Sequence, residues 1–242
     1  MDFLTDFGAA TREHLRLIED RNAPTLDAVA GRLLDVVRAG RLVHTAAAGH
    51  SLAAVLETFY RAGGLACVRP LFHPGLLPLH GAQASTQLER VPGLAATLVA
   101  QAQVRPGDVG VIFSNSGVNA FPVEVARELK ERGAYVVTFA SRPHMDAAPM
   151  RSFAKLGELA DAVLDTAIPP GDAVVPTPSG TTGALSTLCS TYLWNLLLVR
   201  LAALAAAAAD VAIPLWQSSN LPGGDSANER YLDHYRAHVP ML

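Results

Sequence analysis

The chain is short of charge, of cysteine and of uninterrupted apolar runs, and each shortage closes off a class of function. Only 17% of its 242 residues are charged, 19 Lys and Arg against 22 Asp and Glu, with no block or stripe of basic residues. Nucleic acid is therefore not an expected partner. The two cysteines, Cys67 and Cys189, are far apart in apolar surroundings. They offer neither a disulfide framework nor a Cys-x-x-Cys pair, and read as buried thiols in a reducing cytoplasm. No His-Glu-x-x-His motif occurs and no metal is assigned, although His73 with His80 could help assemble a site. Nor is an organic cofactor expected. The first residues, Met1 to Asp6, carry acids and lack a basic region followed by an apolar run, so no secretory signal is read. From Leu185 to Ala209 the chain is strongly apolar, but Asn195 and Arg200 interrupt it and successive alanines end it. This is the composition of a buried or subunit-interface helix, and no membrane span is expected.

What is present is a large apolar fraction, 50% of residues, enough for a sizeable core. Residues 1–39 read as an N-terminal helical extension, a hairpin of two helices divided at Pro24, with Thr25 capping the second and Gly40 ending it. Residues 40–242 read as an α/β core with C-terminal helices, the whole forming one domain. Buried strands are expected at Arg41 to Ala47, Val109 to Phe113, Ala134 to Ala140 and Asp161 to Asp165, with a weaker one at Cys67 to Pro70. Helices are expected between them, which implies parallel βαβ units with right-handed crossovers and a doubly wound sheet of order 2-1-3-4-5. The segment from Ile168 to Thr182, rich in proline, reads as a loop, with Ser179, Thr181 or Thr182 capping the long helix beyond it.

Two strands run into turns of the same make-up. After Val109 to Phe113 comes Ser114-Asn115-Ser116-Gly117-Val118-Asn119, then a helix; after Arg41 to Ala47 comes Ala48-Gly49-His50-Ser51, then a helix. The first N–H groups of a helix have no intrahelical partner and sit at the positive end of its dipole, so a phosphate is stabilised there without lysine. Ser114, Ser116 and Asn119 add side-chain donors, and Gly117 allows close approach. The turn has no Lys and is not a Walker loop. In a 2-1-3-4-5 sheet the two turns flank the point where strand order reverses, the usual place for a ligand.

These turns resemble the sugar-isomerase (SIS) domain family. The likeness extends through Phe59 to Gly64, Gln87 to Arg90, Arg105 to Asp108, Pro170 to Asp172 and Gly223 to Asp225, and within the family it is closest to the uncharacterised phosphoheptose-isomerase-like proteins. It implies a five-stranded parallel sheet, a phosphorylated sugar held by Ser51, Ser114, Ser116 and Asn119, and a homodimer or homotetramer with sites near subunit boundaries. Gly49, His50, Asn115 and Gly117 belong to the same turns, and Ser179 falls where many relatives bring hydroxyls to the sugar. Relatives usually have glycine where this chain has Ala47 or Ala48. The family includes aldose–ketose isomerases, an etherase and phosphosugar sensors. Sensors usually carry a DNA-binding domain before the SIS domain; here about forty non-basic residues precede the first strand, which favours the enzyme. An isomerase needs a base to move a proton between adjacent carbons and a donor to polarise the carbonyl. Glu89, Glu57 and His80 are the candidates. Glu89 stands in a polar helical turn as a base or as the partner of Arg61 or Arg90, whereas Glu57 lies roughly 120° around its helix from Ser51. His50 supports the first turn or hydrogen-bonds the sugar, and His44 reads as a core histidine.

Overall fold

β-branched and small apolar residues at Val43–Ala47 and Val109–Phe113 are buried at every position, as strands covered on both faces must be. The computed structural model of the protein describes residues 6–242. Its main sheet has five parallel strands: β1 (Val43–Ala47), β2 (Val68–Pro70), β3 (Val109–Phe113), β4 (Tyr135–Ala140) and β5 (Ala162–Asp165), in the order β2-β1-β3-β4-β5. β1 and β3 are adjacent, paired from Val43 with Val109 to Ala47 with Phe113. The chain leaves β1 for β2 in one direction and β3 for β4 in the other, so right-handed crossovers place their connecting helices on opposite faces. The doubly wound sheet anticipated from the sequence is thus present, with strand ends one or two residues shorter.

One helical layer consists of α1 (Phe7–Arg38) and α2 (Leu52–Thr58), both packed on a long helix near the C-terminus. The other contains α3 (Ala82–Arg90), α4 (Leu94–Gln101) and α5 (Ala120–Glu131). Gly110 permits the close seating of α5 on β3, since a Cβ there would fall 2.4 Å from Leu129 Cδ1. After β4 come two short helices, α6 (Arg142–Ala147) and α7 (Leu156–Leu159). Beyond β5, an antiparallel ribbon of β6 (Ala173–Thr177) and β7 (Gly180–Ala184) leads to α8 (Ser186–Ala208), and α9 (Gly224–Tyr235) lies near the end of the chain.

Two expectations are corrected here. The N-terminal extension is one continuous helix across Pro24, not a hairpin; residues 1–5 of the expected extension lie outside the described residues. Pro24 removes one bond, to the carbonyl of Asp20, but both residues are exposed, so water takes the carbonyl. Meanwhile Ile18, Asn22, Leu26 and Val29 are buried along one stripe. The Asn22 amide donates to Asp165 O at 2.9 Å and accepts from Asp165 N at 2.7 Å, closing the β5 edge with the helix. Tertiary packing on both sides of Pro24 outweighs its local preference. The second correction concerns residues 168–182, which form the β6–β7 ribbon where a loop was expected. Ser179 and Thr181 are on that ribbon rather than at a helix start; α8 is capped by Asp172, whose carboxylate accepts from Ser186 N (2.9 Å) and Ser186 Oγ (2.7 Å).

α8 is long and apolar enough to cross a membrane by composition alone. It buries Cys189, Leu193, Trp194, Leu197 and Leu201 against the protein, and Arg200 and Tyr192 bond to Asp27 and Glu19 of α1. These contacts seat one face of it on the core. Cys67 and Cys189 are free and buried, and burial pushes each thiol up to about 12, which leaves them unreactive.

Candidate functional site

The carboxyl ends of β1 and β3 open into a cavity of about 360 Å³, large enough for a small polar ligand. The turn after β1, a 3-10 turn over Gly49–Ser51 feeding α2, brings Gly49, His50 and Ser51 to its wall. The turn after β3 brings Ser114, Asn115, Ser116 and Asn119. From α3, Ser85, Thr86 and Glu89 form the facing side, while His144, Asp172 and Ser186 close the end towards β4 and α8.

The hydroxyls of Ser51 and Ser116 have no partner among the described residues, so both are available to a ligand. Ser114 is tied more closely into its turn, where its Oγ accepts from Gly117 N at 3.2 Å. Gly117 itself does not line the cavity. Its φ is +59°, and a Cβ there would lie 2.9 Å from Met145 S and 3.1 Å from Leu156 Cβ, so glycine is required for the turn to close against α6 and α7.

Glu89 is the one carboxylate of the expected set on the cavity wall, and it makes no ion pair with Arg61 or Arg90. Its Oε1 accepts from Asn119 Nδ2 at 2.8 Å, and Asn119 Oδ1 faces Arg151 Nη1 at 3.4 Å. Burial raises the Glu89 carboxyl above its ordinary value; the Asn119 bond and the charges of Arg90 and Arg151 only partly oppose it. Asn119, at the start of α5, makes no capping bond, because its amide is turned to Glu89.

Besides Gly117, three expected residues stand outside the cavity. Glu57 pairs with Arg61 (3.1 Å) and accepts from Asn195 Nδ2 (3.1 Å), as its position around α2 suggested. His80 ends a 3-10 turn over Pro78–His80 with its side chain exposed, and Pro78 takes the place on the wall. Ser179 is at the exposed tip of the β6–β7 ribbon. Conversely, Ser85, Thr86, His144, Asp172 and Ser186 reach the cavity without having been singled out. For His144 a signal was present, since it sits just past a strand's carboxyl end in Ser141-Arg142-Pro143-His144, a capped helix start. Among the described residues no group of three or more His, Cys, Asp or Glu could hold a metal ion.

A second concavity, of about 410 Å³, lies at the opposite edge of the sheet beside Arg32, Asp108, Lys130, Tyr135 and Asp161. Several of its polar groups already have partners: Lys130 bonds Asp161 at 2.5 Å, Arg32 stacks over Tyr135, and Asp108 accepts from His44. The serine-lined cavity, which gathers both serine turns and Glu89, is the candidate for chemistry.

Comparison with known proteins agrees with this architecture. Residues 6–141 match the SIS domain. A UPF0309 protein of Brucella abortus is 34% identical over 227 residues, covering 93% of each chain, and one of Geobacillus kaustophilus is 32% identical over 234 residues, covering 95% of this chain and 93% of its own. Among solved structures, a phosphoheptose isomerase from Neisseria gonorrhoeae superposes with a TM-score of 0.50 at 16% identity, over 84% of this chain and 95% of that one. Another from Francisella tularensis gives 0.52 at 11% identity, over 82% and 96%. These two likenesses speak to the fold. The domain match over more than half the chain, with the UPF0309 relatives spanning nearly all of it, shows that the protein belongs to the SIS-domain family.

Proposed function

We propose that this SIS-domain protein binds a phosphorylated sugar at its paired serine turns and interconverts its aldose and ketose forms, with Glu89 as the base. The observation that carries the reading is Glu89 itself: a desolvated carboxylate on the wall of a polar cavity, without an ion pair and oriented by Asn119. A raised pKa makes a carboxylate a stronger base towards a carbon acid at neutral pH. The phosphate is assigned to Ser51, Ser114 and Ser116 with the first N–H groups of α5. Asn119, expected from the sequence to hold phosphate, is assigned instead to Glu89. The phosphoheptose isomerases that share the fold support the substrate class.

The test is a thermal-shift screen of pentose, hexose and heptose phosphates, followed by NMR of the best binder in deuterated water. Deuterium appearing at the carbon beside the carbonyl is the expected result. Binding without exchange would make the protein a non-catalytic sensor, and no stabilisation by any phosphosugar would sink the ligand assignment.

A further inference from the structure

The hydrogen bonds around the ring of His144 point to one tautomer. Ser141 caps α6 by accepting from His144 N at 3.2 Å and donating to Ile168 O at 2.5 Å, which seats the histidine on the first turn past β4, at the cavity wall. Its Nδ1 lies 3.1 Å from Asn115 Nδ2. Behind that amide the buried Thr166 hydroxyl donates to Asn115 Oδ1 at 3.0 Å, in the arrangement that turns the NH2 group towards the ring. An NH2 group can only donate, so Nδ1 is the acceptor nitrogen and the ring proton is on Nε2. A cationic ring would set an Nδ1–H against the amide hydrogens. Burial lowers the pKa of His144 in the same sense, with the nearby Asp172 carboxylate acting against it.

We propose that His144 is the electrophile of the isomerisation, a neutral imidazole whose Nε2–H hydrogen-bonds to the sugar carbonyl oxygen opposite Glu89, with Asn115 as its positioning residue. The inference rests on the isomerase reading above. Starting from the aldose, the Glu89 carboxylate takes the proton on C2. The C–H electron pair becomes the C1=C2 bond, and the carbonyl pair moves to O1, where Nε2–H stabilises the oxyanion. The O2 proton then passes to O1 and Glu89 returns its proton to C1, leaving the ketone at C2. Nothing is gained or lost overall, and His144 keeps its proton throughout. A preorganised donor aimed at developing charge contributes about 10²- to 10³-fold in rate. A neutral ring beside a carboxylate base is one way proteins separate acid and base tasks at neutral pH.

The experiment has two arms. In protein labelled with 15N-histidine, with His144 assigned through His144→Gln, long-range 1H–15N correlation should show Nε2 protonated and Nδ1 bare. Asn115→Asp, which offers the ring only acceptors, should move the proton to Nδ1. In the second arm, on whichever pentose, hexose or heptose phosphate the wild type turns over, His144→Gln should lower kcat about 10²- to 10³-fold with KM nearly unchanged and melting temperature retained. Asn115→Asp should lose kcat comparably. An Nδ1–H tautomer in the wild type, or turnover by His144→Gln within a few-fold of it, would overturn the role. If the wild type binds a phosphosugar but exchanges no deuterium, the isomerase reading falls and this proposal with it. Exchange that survives in His144→Gln at the wild-type rate removes this proposal alone.

Discussion

The chemistry of Glu89 is decided by three neighbours. Burial pushes its carboxyl up, while the Asn119 amide and the charges of Arg90 and Arg151 pull it partly back. Glu89→Gln keeps the shape and the capacity to meet Asn119 but removes the base, so it should abolish deuterium exchange while phosphosugar binding, read by thermal shift, persists. Ser116→Ala should weaken a phosphosugar and leave its dephosphorylated counterpart little changed, because the lost hydroxyl addresses the phosphate. Asn119→Ala has a separate signature. The Asn119 bond favours the charged carboxylate, so its loss should raise the Glu89 pKa further and move the acid limb of the kcat/KM profile to higher pH. A limb that stays in place would mean that another group titrates. The serine turns and Glu89 were legible because each sits where a local rule points: a strand end, a helix start, a carboxylate in a polar helical turn beside Leu88. Asp172, Ser186 and Thr86 follow no such rule, being gathered only when α3, α8 and the ribbon meet over the sheet.

Helices and strands show where local preference yields to packing. Pro24 argued for a break, yet α1 runs through it because α8 and β5 hold the helix on both sides. The proline still forfeits a backbone bond, and Pro24→Ala should restore it and stabilise the protein by up to ~3 kcal/mol, raising the melting temperature. A lower melting temperature would show that α1 depends on the proline geometry to reach both partners. The ribbon of β6 and β7 was hidden for a related reason: its prolines and glycines read as loop, and its pairing is written in no apolar alternation. Among the main strands, by contrast, β3 announced itself by an unbroken apolar run and β4 by a nearly unbroken one, while β2, with Arg69 at its centre, was the weakest signal. At their amino ends, Asp108 ties β1 to β3, accepting from Leu42 N (3.1 Å), Arg105 N (2.9 Å) and the fully buried His44 Nε2 (3.0 Å). Burial alone would raise the Asp108 pKa, but the His44 bond and the two N–H groups outweigh it and hold the carboxyl below its ordinary value. A pKa depressed on folding contributes stability that is present above the unfolded value and lost as pH falls through the folded one. Asp108→Asn should therefore cost about 1–3 kcal/mol at neutral pH. It should also flatten the acid side of the curve of melting temperature against pH; an unchanged slope would assign acid unfolding to other carboxylates.

At the scale of the whole molecule, the distribution of charge is uneven. From Ala173 to Val199 there is not one charged residue or histidine, and that run takes in the exposed ribbon and most of α8. Leu188 and Val199 stand out from α8, and the adjoining α2 adds Leu56, 68% exposed. The buried stripe of α8 already faces the core, so these residues form a second apolar surface on the same side of the protein. Apolar side chains exposed together on neighbouring helices mark a candidate contact surface. The homodimer or homotetramer implied by the family resemblance would cover it with a second copy bearing the same surface, the self-complementary arrangement of a two-fold interface. Sedimentation equilibrium should then give a multiple of the 25.5 kDa chain mass. Leu56→Lys combined with Val199→Lys should shift it towards the single-chain value, with the far-ultraviolet circular dichroism unchanged, because neither side chain belongs to the core. A wild-type protein that sediments as one chain at micromolar concentration would leave the apolar face without its proposed occupant.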